Sequence, residues 1–319
     1  STVRLFKLLG FTILLVLACA GAYTAYATMQ SHESHPPLGQ FVSTDLGQLH
    51  VYVDDRTARA VGTAIVLLHG ASSNLREFEH GLIPALQKLA PVAAVDRPGY
   101  GYSERVADQW PDPASQAHAL KQALDAVGIQ RPVLVGHSLS GAIVLAYALQ
   151  YPNDIRGAVL LAGATHPWKS GVAWHRHLAG LPILGEVFAR TLVVPISKAV
   201  APAAIQHVFW PEAVPDNYMR NSGMGLSVLP GPYRASAEDV RLLSDYLKTQ
   251  SRRYATLETP LLLISGDLDA VVPAWNHTAR LAGLPNAKVI LLKGAGHGLH
   301  HTRIADIARH LETFLSNHP

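Results

Sequence analysis

The hydrophobic and polar positions divide the chain into an apolar N-terminus, a short polar stretch and a long region of alternating elements. Leu8 to Ala27 are 20 consecutive uncharged, mostly apolar residues. At a rise of about 1.5 Å per residue, such a helix crosses a hydrocarbon core of roughly 30 Å. Arg4 and Lys7 precede it, and the positive-inside rule then leaves the N-terminus in the cytoplasm. We therefore expect residues 1–30 to be a membrane anchor and the folded part to be extracytoplasmic.

Two other interpretations of this segment stay open. Leu8 to Leu17 has the length of the apolar part of a signal peptide, and small residues follow at Ala18/Ala20 and at Ala25/Ala27, as signal cleavage requires. Cleavage would leave a secreted or periplasmic protein. The third interpretation is a helix buried in the folded domain.

Residues 31–40 carry prolines and a glycine, which is typical of a linker between a membrane segment and a domain. After them, Phe41 to Asp54 alternates between apolar and polar residues around Asp45-Leu46-Gly47, which predicts a β-hairpin.

Short runs rich in Val, Ile and Leu recur along the rest of the chain, and each is typical of a strand buried on both faces. Helical patterns lie between most of them, such as Ser115 to Val127 and Ala142 to Gln150. Alternating strands and helices predict an α/β fold with a mainly parallel sheet. The predicted strands are Thr63 to Leu68, Val92 to Val95, Pro132 to Val135, Ala158 to Ala162, Leu261 to Ser265 and Val289 to Leu292.

One connection breaks this rhythm, because Ala164 to Thr259 is far longer than the roughly 12 residues that a crossover needs. Residues 164–235 are rich in aromatic residues and proline, and we expect them to form a mostly helical cap over the carboxyl edge of the sheet. Ser236 to Arg253 has the pattern of a helix that returns to the main domain, with Ser236 as its N-cap. The core domain then consists of residues 41–163 and 236–319.

Charge and composition narrow the class of partner. The formal net charge is +3 and no long Lys/Arg run occurs, so we do not expect nucleic-acid binding. The single cysteine, Cys19, lies in the apolar segment, so the folded part contains no disulfide. The pairs His175/His177 and His300/His301 lack the spacing of a metal motif, and we expect neither a metal nor another cofactor.

Gly136-His137-Ser138-Leu139-Ser140-Gly141 follows a predicted strand and precedes an apolar helix. A serine on such a sharp turn presents its hydroxyl, and its flanking residues must be small to let strand and helix approach. Ser138 is the expected nucleophile because Gly136 ends the strand, although Ser140 is an alternative.

Here the chain resembles the α/β-hydrolase family, from about Phe41 to Leu315. The resemblance implies a triad in the order serine, acid, histidine, each at a strand end. Gly266-Asp267-Leu268-Asp269 looks like the family's acid loop and assigns the acid to Asp269, with Asp267 as the alternative. Gly294-Ala295-Gly296-His297 looks like its histidine loop and assigns the base to His297, which leaves His300 and His301 as capping or surface residues.

The resemblance also implies an oxyanion hole. His69-Gly70-Ala71 resembles the family's HG-x loop, whose last residue supplies one N–H, while the residue after the nucleophile supplies the other. These residues are Ala71 and Leu139. Asp96 to Ser103 resembles the structural loop after the next strand.

These expectations converge on a serine hydrolase that cleaves a carboxylic ester, with a hydrophobic or lipid-like acyl substrate favoured by the apolar cap and the anchor. The same triad serves carbon–carbon bond hydrolases and thioesterases, which remain alternatives. A third possibility is a non-catalytic member of the fold that binds a ligand. The oligomeric state is not predicted.

Overall fold

The computed structural model describes residues 2–56, 64–169 and 171–318, which are built around an eight-stranded sheet. Its order is β1-β2-β4-β3-β5-β6-β7-β8. β2 is antiparallel to β1 and to β4, and all further pairs are parallel. The strands are β1 Gln40–Thr44, β2 Gly47–Val53, β3 Ile65–Leu68, β4 Val92–Val95, β5 Val133–His137, β6 Gly157–Leu161, β7 Leu261–Gly266 and β8 Ala287–Leu292.

The predicted α/β fold and its six parallel strands are thus confirmed, as is the hairpin of β1 and β2. Thr63, where the first of these strands was expected to begin, lies outside the described residues. Neighbouring positions of β3 belong to different apolar clusters: Val66 and Leu68 pack on one face of the sheet, Ile65 and Leu67 on the other. Both faces are covered, which is why the parallel strands are continuous apolar runs.

Helices flank the sheet on both faces. Their starts follow local signals: α3 begins at Pro113, and its N-cap Asp112 accepts a hydrogen bond of 2.8 Å from Ser115 N. The helices are α1 Thr2–Ser34, α2 Leu82–Leu86, α3 Pro113–Ala126, α4 Ser140–Gln150, α5 Trp174–Ala179, α6 Pro182–Thr191, α7 Val193–Phe209, α8 Tyr218–Asn221, α9 Met224–Ser227, α10 Pro230–Gln250, α11 Leu299–Thr302 and α12 Ile304–Asn317.

Five of these helices, α5 to α9, lie in the long connection between β6 and β7 and form a cap with small apolar clusters of its own. One cluster joins Phe188 and Val193 to Ala237 of α10. The cap therefore packs against the first turns of the helix that returns to the core.

The prediction that Ser236 caps the returning helix is wrong. α10 begins at Pro230, because proline at the first helical position has the required φ and needs no hydrogen-bond partner for its nitrogen. Ser236 lies inside the helix, where it is buried and its Oγ accepts a hydrogen bond of 2.9 Å from Ser72 N. This contact ties α10 to the loop after β3.

The N-terminal apolar segment is a single helix, α1. Its length and composition would allow it to cross a membrane, and a signal sequence has the same properties. It continues to Ser34, into the stretch expected to be a linker. Its C-terminal half packs against the cap, where Thr24 and Ala27 are buried.

Candidate active site

The turn after β5 holds Ser138 in a backbone conformation that few residues adopt. Its φ is 54°, in the left-handed region. The chain packs closely here: a Cβ on Gly136 would lie 2.7 Å from the carbonyl oxygen of Ser140, and one on Gly141 would lie 2.8 Å from Gly163 Cα. Small residues on both sides of Ser138 are therefore a steric requirement of the strand-to-helix turn.

Three side chains from the ends of β5, β7 and β8 form a hydrogen-bonded line. His297 Nε2 lies 3.0 Å from Ser138 Oγ, and His297 Nδ1 lies 2.8 Å from Asp269 Oδ2. The other carboxylate oxygen, Oδ1, accepts hydrogen bonds of 2.8 Å from the N–H groups of Val271 and Val272. Because a carboxylate only accepts, Nδ1 carries the proton and Nε2 is free to accept the serine hydroxyl proton.

The two alternative residues have other contacts. Ser140 is fully buried, and its hydroxyl donates to the carbonyl oxygen of His69. Asp267 is exposed, and its Oδ1 accepts a hydrogen bond of 2.7 Å from Gly294 N. Within the described residues, neither side chain is bonded to His297, so each has a structural contact instead.

The loop after β3 lies directly beside the serine. A Cβ on Gly70 would lie 3.0 Å from Ser138 Cβ, which places the next residue, Ala71, at the same edge. Among the described residues, no partner accepts the N–H of Ala71 or of Leu139. Both expected donors are therefore available for a negatively charged oxygen.

His69 fixes this loop as a neutral imidazole. Its Nδ1 donates to the carbonyl oxygen of Gly70 at 2.8 Å, and its Nε2 accepts a hydrogen bond of 3.0 Å from Arg97 N. Burial, together with the charge of Arg97, lowers the pKa of His69 to about 4. His69 is thus structural.

A buried carboxylate that sequence reasoning missed, Asp239 of α10, supports the same loop. Asp239 binds Arg97 at 2.8 Å and Arg105 at 2.9 Å, and accepts hydrogen bonds of 2.9 Å from Tyr100 and Trp110. The Arg97 guanidinium also donates to two carbonyl oxygens of the loop after β3. Burial acts to raise the pKa of Asp239, but Arg105 and Arg97 outweigh it and hold that pKa below its ordinary value.

His137 holds the loop that contains His297 through a hydrogen bond to its backbone. Its Nε2 donates to the carbonyl oxygen of His297 at 3.2 Å, and its ring centroid lies 3.8 Å from that of His300. Burial, followed by the charge of His300, holds the pKa of His137 well below its ordinary value. His137, which directly precedes Ser138, is therefore a neutral imidazole that donates a hydrogen bond to the backbone of His297.

The prediction that His300 and His301 are capping or surface residues is wrong. His300 is buried, and both imidazoles lie close to Glu77 Oε1, at 3.0 and 2.9 Å. Their side chains lie on a short helix that faces Glu77, a residue far away in sequence. Burial acts to raise the pKa of Glu77, but the hydrogen bonds from the two histidines outweigh it and hold that pKa well below its ordinary value.

The Glu77, His300 and His301 ligand atoms lie within 4.8 Å of one another, a spacing that a metal ion could use. Glu77 Oε1 also accepts a hydrogen bond of 3.0 Å from the hydroxyl of Tyr218 in the cap. Three donors already satisfy this oxygen, so the cluster is complete as a hydrogen-bond network between core and cap.

The order of the strand ends, the turn at Ser138 and the line through His297 are features of one known fold. Residues 63–303 match the profile of the α/β hydrolase fold family. The chain belongs to this family. It is an α/β hydrolase whose helical cap is inserted between β6 and β7.

Several known proteins are similar to this α/β hydrolase. A 2-hydroxymuconate semialdehyde hydrolase of Pseudomonas putida is 29% identical over 236 residues, which cover 70% of this chain and 76% of that protein. Protein Rv2715 of Mycobacterium tuberculosis is 26% identical over 271 residues, covering 80% and 75%. The enol-lactonase of Burkholderia xenovorans LB400 has a TM-score of 0.68 at 20% identity, covering 87% of this chain and all of that one, and shares its fold.

Proposed function

We propose that this α/β hydrolase is a serine hydrolase that cleaves carboxylic esters of hydrophobic, lipid-like acyl groups. The observation that carries the proposal is the line from Ser138 through His297 to Asp269, next to two backbone N–H groups that have no partner among the described residues. A nucleophile, a base, an orienting acid and an oxyanion hole are the parts that acyl transfer to water requires.

Each part has a defined role in this reaction. His297 Nε2 takes the hydroxyl proton as Ser138 Oγ attacks the carbonyl carbon, and the N–H groups of Ala71 and Leu139 hold the oxyanion. His297 then donates the proton to the leaving alkoxide, which departs as an alcohol and leaves an acyl-enzyme. Water, activated by the same imidazole, releases the carboxylic acid and restores the serine. Asp269 orients the ring and stabilises its charged form.

Ester hydrolysis needs no group beyond these, because the leaving alkoxide accepts its proton from His297. Cleavage of a carbon–carbon bond additionally requires a substrate that stabilises a carbanion. The ester is therefore the reaction that these residues support with the fewest added requirements.

The apolar helix α1 supports the lipid-like substrate class. We propose that it is retained as a membrane anchor, with the catalytic domain on the extracytoplasmic side. Thr24 and Ala27 are buried against the rest of the chain, so removal of residues up to Ala27 would uncover a packed surface of the cap. An anchored hydrolase would act close to the hydrophobic esters of a bilayer.

The test is hydrolysis of p-nitrophenyl esters from acetyl to palmitoyl by the full chain in detergent. We expect turnover by the wild type and a loss of at least about 10⁴-fold in Ser138→Ala, with unchanged circular dichroism. Ser140→Ala is the matched control, because it removes the neighbouring hydroxyl and should keep measurable turnover and labelling by a fluorophosphonate. Activity of Ser138→Ala near that of the wild type would refute the nucleophile.

A carbon–carbon bond hydrolase is the second candidate, and thioester hydrolysis would use the same residues. The observation that favours carbon–carbon cleavage is the similarity to a hydrolase named for 2-hydroxymuconate semialdehyde, which is not an ester. Ser138-dependent turnover of a vinylogous 1,5-diketone, without turnover of any ester, would support it. A folded protein that resists a fluorophosphonate would instead indicate a non-catalytic ligand-binding role.

A further inference from the structure

Only part of α1 is packed against the rest of the protein. Residues 2–16 are exposed along their whole length, and from Leu17 onwards more buried positions recur at helical spacing. Thr24 Oγ1 donates to the carbonyl oxygen of Thr191 at 3.1 Å, and a Cβ on Gly21 would lie 3.8 Å from Thr191 Cγ2. The C-terminal half of α1 therefore lies directly on the end of α6 in the cap.

This packing limits how the helix can cross a bilayer. The free apolar part, Leu8 to Val16, is only nine residues and about 13 Å long, whereas the hydrocarbon core is roughly 30 Å thick. The helix can therefore reach across the core only if residues from Leu17 onwards, the part that lies on the cap, enter the membrane as well. Whatever surface of the cap lies beside these residues must enter the membrane with them.

The two cap helices on which α1 packs expose several large apolar side chains. α6 and α7 meet at 67°, and by length and composition the pair resembles a broken membrane span or a re-entrant elbow. Over Pro182 to Phe209 only three residues are charged, Glu186, Arg190 and Lys198, and Glu186 pairs with Arg190 and Arg234. The exposed apolar side chains on and next to this elbow are Trp174, Leu181, Ile183, Leu184, Val187, Ile196 and Val200.

One contact marks the depth at which the headgroups would lie. Lys198 Nζ donates to the hydroxyl of Tyr23 at 2.8 Å, and its ammonium lies 5.0 Å from the ring centroid. Tyrosine is enriched at the membrane interface, and a lysine ammonium belongs among headgroups and water. Leu17 lies six residues before Tyr23, or about 9 Å deeper along the helix axis.

We propose that α6 and α7 form a second membrane contact, in which their apolar elbow enters the leaflet on the domain's side, next to α1. An insertion of about 9 Å matches the roughly 5–10 Å that interfacial apolar helices reach. The partner is the acyl region of a lipid bilayer, and the cap over the active site is itself seated in it. This inference rests on the proposed retention of α1 as an anchor.

Trp174 and Trp275 provide a matched pair for the test, because they are 69% and 77% exposed. Trp174 is the first residue of α5 and lies next to the elbow. Trp275 follows β7, near the edge of the sheet opposite β1, and β1 is the strand that follows α1 in the chain. Six strand spacings of about 4.8 Å, or roughly 29 Å, separate β1 from β7. The full chain, Trp174→Phe and Trp275→Phe are reconstituted in vesicles of phosphatidylcholine brominated on its acyl chain, and tryptophan quenching is measured against unbrominated vesicles.

We expect the wild type to float with the vesicles and to be quenched, Trp174→Phe to lose a clear share of the quenching, and Trp275→Phe to keep it. Flotation with equal quenching in both variants would overturn the second contact and leave the anchor intact. If Trp174 is shielded from acrylamide but is not quenched by the brominated lipid, a second copy of the chain covers this face. That result would also overturn the second membrane contact. Failure to float would overturn anchor and contact together. None of these outcomes depends on esterase activity, so the proposed reaction is tested separately.

Discussion

His137 Nε2 lies 3.2 Å from the carbonyl oxygen of His297, so the residue that precedes Ser138 also holds the backbone of the proposed base. His137 thus links the turn of the proposed nucleophile, to which its backbone belongs, with the loop of the proposed base, which its side chain contacts. His137 is buried, and its lowered pKa keeps the imidazole neutral. A neutral imidazole carries one N–H, and in His137 this N–H is on Nε2, which donates to His297.

Replacing His137 tests this positioning role. His137→Leu removes the donor and leaves a buried carbonyl unpaired, at a cost of about 1–3 kcal/mol. We expect kcat to fall about 10-fold or more while KM changes less than about 2-fold, because the loss falls on the orientation of His297. His137→Gln keeps an N–H donor and should recover part of kcat. An equal loss in both variants would show that the hydrogen bond is unimportant.

Asp269 and Asp267 belong to the same loop and have different contacts, which makes them a matched pair. Asp269→Asn should lower kcat about 10⁴-fold, because an amide that donates to Nδ1 favours the wrong tautomer of His297. Asp267→Asn should stay within about 2-fold, since Asp267 only accepts from Gly294 N at the surface. Steady-state kinetics with both variants at one ester decide the assignment, and a larger loss in Asp267→Asn would reverse it.

The buried network of Asp239 predicts a large effect on stability. Asp239→Asn leaves Arg97 charged and buried with its ion pair broken, and the free energy of unfolding should fall by about 3–5 kcal/mol. The control is Asp245→Asn on the same helix, whose exposed pair with Lys248 should contribute less than about 1 kcal/mol. Urea unfolding in detergent measures both. Equal losses would show that the network adds no more than a surface pair.

Local patterns predicted most of the fold, and the failures have physical reasons. The strands could be predicted because burial on both faces leaves continuous apolar runs. The contact of Asp239 with Arg97 joins residues 142 positions apart, and Glu77 meets His300 across 223 positions, so no local spacing indicates either pair. The start of α10 differs from the prediction for another reason, because a proline that can begin a helix, Pro230, lies six residues before the serine that resembles a cap, Ser236.

Buried histidines predict a marked loss of stability in acid. Burial, together with the charge of His166, lowers the pKa of His277 from 6.5 to about 4, and its Nδ1 accepts a hydrogen bond from Thr165 N. Between these pH values the unfolded chain binds a proton that the folded chain does not. The stability contributed by neutral His277 is therefore complete above pH 6.5 and lost as the pH falls towards 4. At pH 5 the loss is about 2 kcal/mol for this one residue.

His277→Gln keeps an acceptor but cannot titrate, and this separates the effect of protonation from that of packing. We expect its free energy of unfolding to fall about 2 kcal/mol less than that of the wild type between pH 7 and pH 5. The exposed His80, replaced by glutamine, is the control and should leave the difference between the two pH values unchanged. Urea titrations at both pH values measure this difference. Equal acid sensitivity in His277→Gln and the wild type would mean that His277 is already protonated, or solvated, in the folded protein.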